Sequence, residues 1–143
     1  MSELPTLRSR RSLTLRFNIP ISRTHEFWDS LKAGKFVTTK CSKCGLVTFP
    51  PQSDCPGCMG SEFEWTDLGH DATLVTYTQV VMTPPSFSAD GSYAVAIAEF
   101  RGGVRVLAWL EGVKAEDAAP GMKLRVEART SADGNPYYVF VRA

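Results

Sequence analysis

Histidine is scarce in this chain, and the patterns of common enzyme active sites are absent from it. Only His25 and His70 occur among 143 residues, and no recognisable motif surrounds either of them. The sequence contains no Gly-x-Ser-x-Gly nucleophile elbow, no phosphate-binding P-loop and no dinucleotide-binding glycine fingerprint. A chain of this length can form one core with a small metal module, but it has no room for a large catalytic domain. The sequence therefore predicts that the chain has no catalytic residues of its own.

Long apolar runs and a strong charge of one sign are also missing. Sixteen Lys/Arg and fifteen Asp/Glu give a net charge of +1, and no apolar run approaches the roughly 20 residues of a membrane helix. Residues 71–143 hold seven basic and eight acidic residues, a net charge of −1. This balance disfavours nucleic-acid binding, which depends on neutralising phosphates. Residues 1–16 hold four arginines without an apolar signal core, so we expect a cytoplasmic protein rather than a secreted one.

Cysteine is confined to two CxxC pairs with ten residues between them. Two such pairs can place four thiolates around one ion, as a structural zinc site requires. Gly45, Pro56 and Gly57 supply the small or turn-forming residues that the two loops need. The predicted metal ligands are Cys41, Cys44, Cys55 and Cys58.

Iron is the main alternative to zinc, because Cys-Pro-Gly-Cys also resembles the metal-binding loop of rubredoxin and a four-sulfur shell admits either metal. Disulfides are less well supported, since they need an oxidising compartment. A thioredoxin-like redox role would explain only one of the two pairs.

The pattern of the remaining residues predicts a mainly β protein in three parts. Residues 1–36 form an N-terminal arm and a short helix, which starts at Ser22 or Thr24 and ends at Gly34. Residues 37–69 form a rubredoxin-like zinc ribbon. Residues 70–143 form a five-stranded OB-fold barrel, because five strand patterns occur with a short helical insertion, Lys114 to Ala119, after the third. An SH3-like barrel or a small sandwich is the alternative. The predicted strands span residues 72–82, 93–100, 104–110, 122–130 and 137–142.

Three apolar segments are candidates for partner binding. The arm alternates polar and apolar residues, the helix has large aromatic residues on one face, and the loop between the first two barrel strands combines prolines with a phenylalanine. The alternatives are that the helix packs on the ribbon and that the loop phenylalanine folds back onto the barrel. The candidate partner-binding residues are Phe17, Phe27, Trp28, Leu31, Pro84, Pro85 and Phe87.

A longer set of motifs runs through the chain in a fixed order. It comprises the Phe27-Trp28 helix, Cys41-x-x-Cys44-Gly45, Phe49-Pro50-Pro51, Cys55-Pro56-x-Cys58, Trp65, Gly69, Thr76-Tyr77-Thr78, Pro84-Pro85-Ser86-Phe87, Tyr93-Ala94-Val95-Ala96 and Pro120-Gly121-Met122-x-Leu124-x-Val126. In this order and spacing the motifs resemble a known family, the zinc-ribbon and OB-fold proteins grouped as domain of unknown function 35 (DUF35). The resemblance covers nearly the whole chain.

The resemblance implies a non-catalytic accessory subunit that docks on a thiolase-fold enzyme in a hetero-oligomer. Partners in this family include ketothiolases, the thiolase and hydroxymethylglutaryl-CoA synthase assembly of archaea, lipid-transfer-like aldolases and some acyltransferases. The partner supplies the residues that make or break a carbon-carbon bond beside a thioester, and the OB region can contribute to the coenzyme A or acyl-CoA path. A ketothiolase of aromatic or fatty acyl-CoA degradation is the favoured partner. The residues that would contact coenzyme A are not identified.

Two other functions remain open at this point. Tyr77, Tyr93, Tyr137 and Tyr138 could stack with the bases of single-stranded nucleic acid, although the charge balance argues against it. A free-standing acyl-CoA-binding protein is the other alternative, and it would bind coenzyme A tightly without a partner.

Overall fold

The computed structural model describes residues 19–87 and 89–143. The predicted N-terminal arm, with Phe17, lies outside these residues. The elements follow the chain order of helix α1 (His25–Lys32), strands β1 (Val37–Cys41), β2 (Val47–Thr48), β3 (Phe63–Asp67), β4 (Asp71–Val80), β5 (Tyr93–Phe100), β6 (Arg105–Leu110), β7 (Lys123–Thr130) and β8 (Pro136–Arg142), with 3-10 turns at Pro85–Phe87 and Ala115–Asp117.

Helix α1 begins after Thr24 and is followed by Gly34, as the sequence predicts, and Gly34 adopts a positive φ of 76°. Its aromatic face does not lie on the surface. Phe27 and Leu31 are only 3% and 1% exposed and belong to the main hydrophobic core. The prediction that these two side chains bind a partner is therefore wrong, because the barrel and the ribbon already cover them. None of the helices in the described residues is long and apolar enough to cross a membrane.

The ribbon is a three-stranded antiparallel sheet in the order β2-β1-β3. Its central strand β1 pairs Thr39 with Thr48 on one side and with Trp65 on the other. The buried Thr38 hydroxyl donates to the carbonyl oxygen of Thr48, and the Thr39 hydroxyl accepts the N–H of Gln52 at 2.9 Å. These bonds satisfy the polar groups of a sheet too small to have a core of its own.

The second sheet closes into a barrel with strand order β4-β5-β6-β8-β7. All neighbours pair antiparallel except β6 and β8, which are parallel. Buried and less buried side chains alternate along β5 and β6; on β5 the inward residues are Ala94, Ala96, Ala98 and Phe100. The five-stranded OB-fold prediction is confirmed, with the short helical turn after its third strand.

One strand end differs from the prediction by more than one residue. Strand β4 ends at Val80, where its pairing with β5 stops at Tyr93, and not at Met82. Val81 and Met82 are instead 73% and 90% exposed. The apolar pattern continues beyond the strand, but there is no longer a neighbouring strand to pair with.

An aromatic cluster joins the ribbon to the barrel. The ring of Phe36, which immediately precedes β1, stacks on Phe49 of the ribbon at 5.2 Å and on Phe100 of the barrel at 5.4 Å. Tyr138 of β8 packs edge-on against Phe36 at 5.2 Å and against Phe49 at 5.7 Å. Because Phe36 is only 1% exposed and touches both sheets, it fixes how the ribbon sits on the barrel.

We expect Phe36→Ala to destabilise the metal-loaded protein by about 3–5 kcal/mol, because it removes a buried ring and leaves a cavity between the two sheets. Denaturant unfolding measures this loss. The matched control is Phe87→Ala, whose ring is 37% exposed and whose loss should cost less than about 1 kcal/mol. Equal losses in the two variants would show that the junction does not carry the stability assigned to it.

Candidate metal centre and docking groove

The four cysteine sulfurs form one compact cluster. Cys41 Sγ lies 3.6 Å from Cys58 Sγ, and Cys44 Sγ lies 3.6 Å from Cys55 Sγ. All four sulfurs are within 4.8 Å of one another. A tetrahedral site with zinc–sulfur bonds of about 2.3 Å has sulfur–sulfur edges of about 3.8 Å, and a disulfide bond is about 2 Å long. The cysteines are therefore free thiols spaced for a metal ion, and the disulfide alternative is wrong.

The two CxxC loops that carry these sulfurs have matching backbones. In the first loop the N–H of Gly45 donates to the Cys41 carbonyl at 2.9 Å, and in the second the N–H of Met59 donates to the Cys55 carbonyl at 2.9 Å. Both closing residues have positive φ, 75° for Gly45 and 58° for Met59. Glycine adopts this conformation without cost, whereas methionine is strained by its Cβ.

Electrostatics in the cluster also favour a cation. The backbone N–H of Cys44 stabilises the Cys41 thiolate and lowers its pKa to about 6. The N–H of Leu46 favours the Cys44 thiolate in the same way, but the neighbouring Cys55 and Cys58 sulfurs outweigh it and raise the pKa of Cys44 to about 12. Sulfurs this close cannot all ionise together unless a cation neutralises them. A metal held by all four thiolates has no open position, so its role is structural.

Among the described residues, these cysteines are the only group of three or more side chains placed to share a metal ion. The two histidines have structural contacts: the His25 ring nitrogen Nδ1 lies 2.9 Å from the Ser22 carbonyl, and His70 Nε2 lies 2.8 Å from the Gly34 carbonyl. Each ring therefore fastens a loop near α1. Among the described residues, neither ring is hydrogen-bonded to an acid or to a nucleophile.

An open groove of about 600 Å³ lies on the barrel wall. Its sides come from β6, from β8 and from the loop between β7 and β8, while Trp28 of α1 closes one edge. A second groove of about 470 Å³ continues from it toward the ribbon, where Phe49 and Pro50 line it. Leu107, which is 61% exposed, and Tyr138 line both. The sequence did not predict this surface, although the alternation of β6 marks Leu107 as an outward residue.

The remaining candidate partner residues lie around the end of this groove that is lined by Trp109. Phe87 turns back toward the barrel and packs on Tyr93 at 5.9 Å and on Trp109 at 6.3 Å, and these two rings stack on each other at 4.8 Å. Pro84 and Pro85 are exposed beside Phe87. Trp28 and Trp109 line the groove itself. The helix tryptophan and the loop are thus on one side of the molecule, whereas Phe27 and Leu31 are in the core.

A four-thiolate ribbon packed on an OB barrel defines a two-part class of metalloprotein. Residues 28–64 match the family model described as the rubredoxin-like zinc ribbon domain of ChsH2, and residues 65–129 match the C-terminal OB-fold domain of ChsH2. The chain belongs to this ChsH2/DUF35 family. The family resemblance read from the sequence motifs is confirmed.

Three relatives and one solved structure describe the family further. A "DUF35 domain-containing scaffold protein" of Methanocaldococcus jannaschii is 33% identical over 69% of this chain and 72% of its own length. A "Probable enoyl-CoA hydratase alpha subunit" of Thermomonospora curvata is 29% identical over 76% of this chain, which spans only 34% of that relative. The "Benzoylsuccinyl-CoA thiolase subunit BbsA" of Thauera aromatica is 30% identical over 51% of this chain and 49% of its own length. A chain of the solved structure "Ltp2-ChsH2(DUF35) aldolase" has the same fold, with a TM-score of 0.74 and 21% identity over 89% of this chain and 98% of that one.

We expect removal of the metal by a chelator to unfold the ribbon, because metal binding can contribute on the order of 10 kcal/mol to the folding of such modules. Amide signals of β1 to β3 should lose their dispersion in NMR spectra. Cys44→Ser should have the same effect and reduce the bound metal, whereas Ser42→Ala, in the same loop, should not. An unchanged ribbon spectrum after complete metal removal would contradict a structural role.

We expect Met59→Gly to stabilise the metal-loaded protein by about 1 kcal/mol, because it removes the strain of a positive φ from a side chain that is 81% exposed. Gly45→Ala is the matched control in the other loop. Its new Cβ would meet no atom within 4 Å, so strain alone should lower the stability by a similar amount. The denaturant midpoints of the unchanged protein, Met59→Gly and Gly45→Ala test both expectations. A loss of stability in Met59→Gly would refute the argument.

Proposed function

We propose that this chain is a non-catalytic accessory subunit of an acyl-CoA enzyme complex, and that its partner is a thiolase-type subunit. The observation that carries the proposal is the pairing of a closed four-thiolate site with relatives named as a scaffold protein and as a thiolase subunit. A metal without an open position cannot activate a substrate. The carbon-carbon bond beside the thioester would then be made or broken by residues of the partner. A ketothiolase of aromatic or fatty acyl-CoA degradation is the partner we favour.

The relative named as a probable enoyl-CoA hydratase subunit supports the broader statement as well, since its name also refers to an enzyme of an acyl-CoA. A hydratase partner would place the same accessory fold beside a different reaction. The thiolase partner is favoured because the motifs, which run through nearly the whole of this chain, resemble those of accessory subunits of thiolase-fold enzymes.

We propose that the metal is zinc. The distances fit a tetrahedral four-thiolate ion, and the family model is that of a zinc ribbon. Iron would fit the same four sulfurs. Metal analysis of the purified protein and its visible spectrum distinguish the two, because only a ferric thiolate site is strongly coloured.

The partner is proposed to dock on the side of the molecule that carries Trp28, Pro84, Pro85 and Phe87. Aromatic side chains that are partly exposed and held by neighbouring rings are typical anchors of protein interfaces. The stacked rings of Tyr93 and Trp109 support Phe87 from below, so the ring is preorganised and loses little conformational entropy on binding.

Co-expression of this chain with candidate thiolase-fold subunits, followed by size-exclusion chromatography and mass identification, tests the proposal. We expect a stable hetero-oligomer in which the acyl-CoA activity belongs to the partner. Phe87→Ser should weaken the complex about tenfold or more, the effect of losing an aromatic anchor. Leu46→Ser is the matched control, because Leu46 is exposed to a similar degree, 42% against 37%, but lies on the ribbon.

Stripping the metal from the complex should release the partner, since the ribbon supports the barrel wall through Phe36 and Phe49. A chain that associates with no acyl-CoA enzyme subunit, or that binds coenzyme A tightly by itself, would refute the accessory role.

A further inference from the structure

The groove on the barrel wall lies where two parallel strands separate. Strands β6 and β8 pair only through Trp109 with Val139 and Leu110 with Phe140. Toward the start of both strands the pairing stops, and the groove lies alongside Leu107 on one strand and residues 136–138 on the other. The barrel therefore offers an elongated channel at this seam, bounded by two strands and open to solvent.

Four aromatic residues with polar tips line this groove. Within residues 19–87 and 89–143, none of their indole N–H or phenol O–H groups makes a hydrogen bond to the protein. Half-buried tyrosine and tryptophan residues normally find such a partner, as Tyr77 does by donating to the Ala115 carbonyl at 2.9 Å. The groove thus combines apolar ring surface with donors that are not used inside the chain. The four residues are Trp28, Trp109, Tyr137 and Tyr138.

The charges of the lining residues restrict the class of ligand that fits the groove. Of the described residues, no lysine or arginine lines this groove, and its one ionisable acid is Asp90. Arg105, in the continuation toward the ribbon, is already paired with Glu99 at 3.0 Å. A phosphate-bearing ligand would find no free cation here, and strong phosphate sites depend on cationic donors. The complementary ligand carries no phosphate, is rich in hydrogen-bond acceptors and is apolar in its outline.

We propose that this groove binds an extended, proline-bearing segment of the partner enzyme in the polyproline II conformation. Proline residues offer carbonyl acceptors and no N–H, which complements the donor groups of the groove. Their rings pack on aromatic faces, and the conformation is largely preformed, so little entropy is lost on binding. Asp90 would favour a basic residue flanking the prolines. The identity of the partner rests on the proposed function, but the recognition chemistry does not.

The test uses the metal-loaded full chain and acetyl-octaproline amide as the probe. The three indole N–H signals are followed in ¹H–¹⁵N NMR spectra during the titration. We expect the signals of Trp28 and Trp109 to shift with a common saturation curve. The signal of Trp65 should stay in place, because Trp65 lies on the ribbon and lines a different depression. An alternating Gly-Ser octapeptide is the control ligand and should cause no shift.

A variant isolates the hydrogen bond from the ring contacts. Tyr138→Phe keeps the packing against Phe36 and Phe49 but removes the hydroxyl, so folding should be unaffected and octaproline affinity should fall about two- to tenfold. Tyr77→Phe is the control: it loses the bond to Ala115 and should bind octaproline as the unchanged protein does.

The experiments distinguish a failure of the groove proposal from a failure of the proposed function. If octaproline leaves Trp28 and Trp109 unshifted, the groove does not recognise such a segment, even when the hetero-oligomer forms. If coenzyme A shifts these signals and octaproline does not, the groove is a small-molecule site and the proposal is overturned. If octaproline binds as expected but no acyl-CoA enzyme associates with the chain, the recognition chemistry stands and the proposed function fails.

Discussion

The crowding of four thiolates around one point is the constraint on which the rest of the structure depends. Sulfurs within 4.8 Å of one another can all be ionised only around a cation. The strands that present them are short, five, two and five residues, and such a sheet cannot hold two loops together by its own packing. The metal therefore fixes the ribbon. Since Phe49 and Pro50 belong to the ribbon and line the continuation of the groove, the metal also fixes one wall of that groove.

The aromatic cluster packs the metal-bound ribbon against the barrel and so fixes the position of one on the other. Phe36 contacts the ribbon through Phe49 and the barrel through Phe100, and Tyr138 packs against both Phe36 and Phe49. Burial raises the pKa of the Tyr138 hydroxyl, so it is a neutral hydrogen-bond donor at physiological pH. The ring of Tyr138 thus packs against the core, and the same side chain lines the groove. This double position explains how a structural metal can matter for binding at a site it does not contact.

Local patterns in the sequence were enough to predict the metal ligands and the barrel. Strand β5 has the predicted bounds because alternating small and branched residues stop at the turn of Arg101, Gly102 and Gly103. Long-range packing was not accessible in this way. Phe27 and Leu31 form an apolar helix face, but a single sequence does not say whether a face is covered by the same chain or by another. The groove was missed for the same reason, since it arises where β6 and β8 separate, and that pairing joins Trp109 to Val139 across an intervening strand.

The charge pattern separates two tasks that an accessory subunit of an acyl-CoA enzyme could perform. Docking needs buried apolar area and preorganised anchors, and the groove with its ring stack provides both. Recognition of the phosphates of coenzyme A needs free cations, and the only cation among the described lining residues is Arg105, which is paired with Glu99 at 3.0 Å. The sequence places its densest group of arginines away from this groove, at Arg8, Arg10, Arg11 and Arg16. The described lining of the barrel wall therefore suits protein or neutral groups better than phosphates.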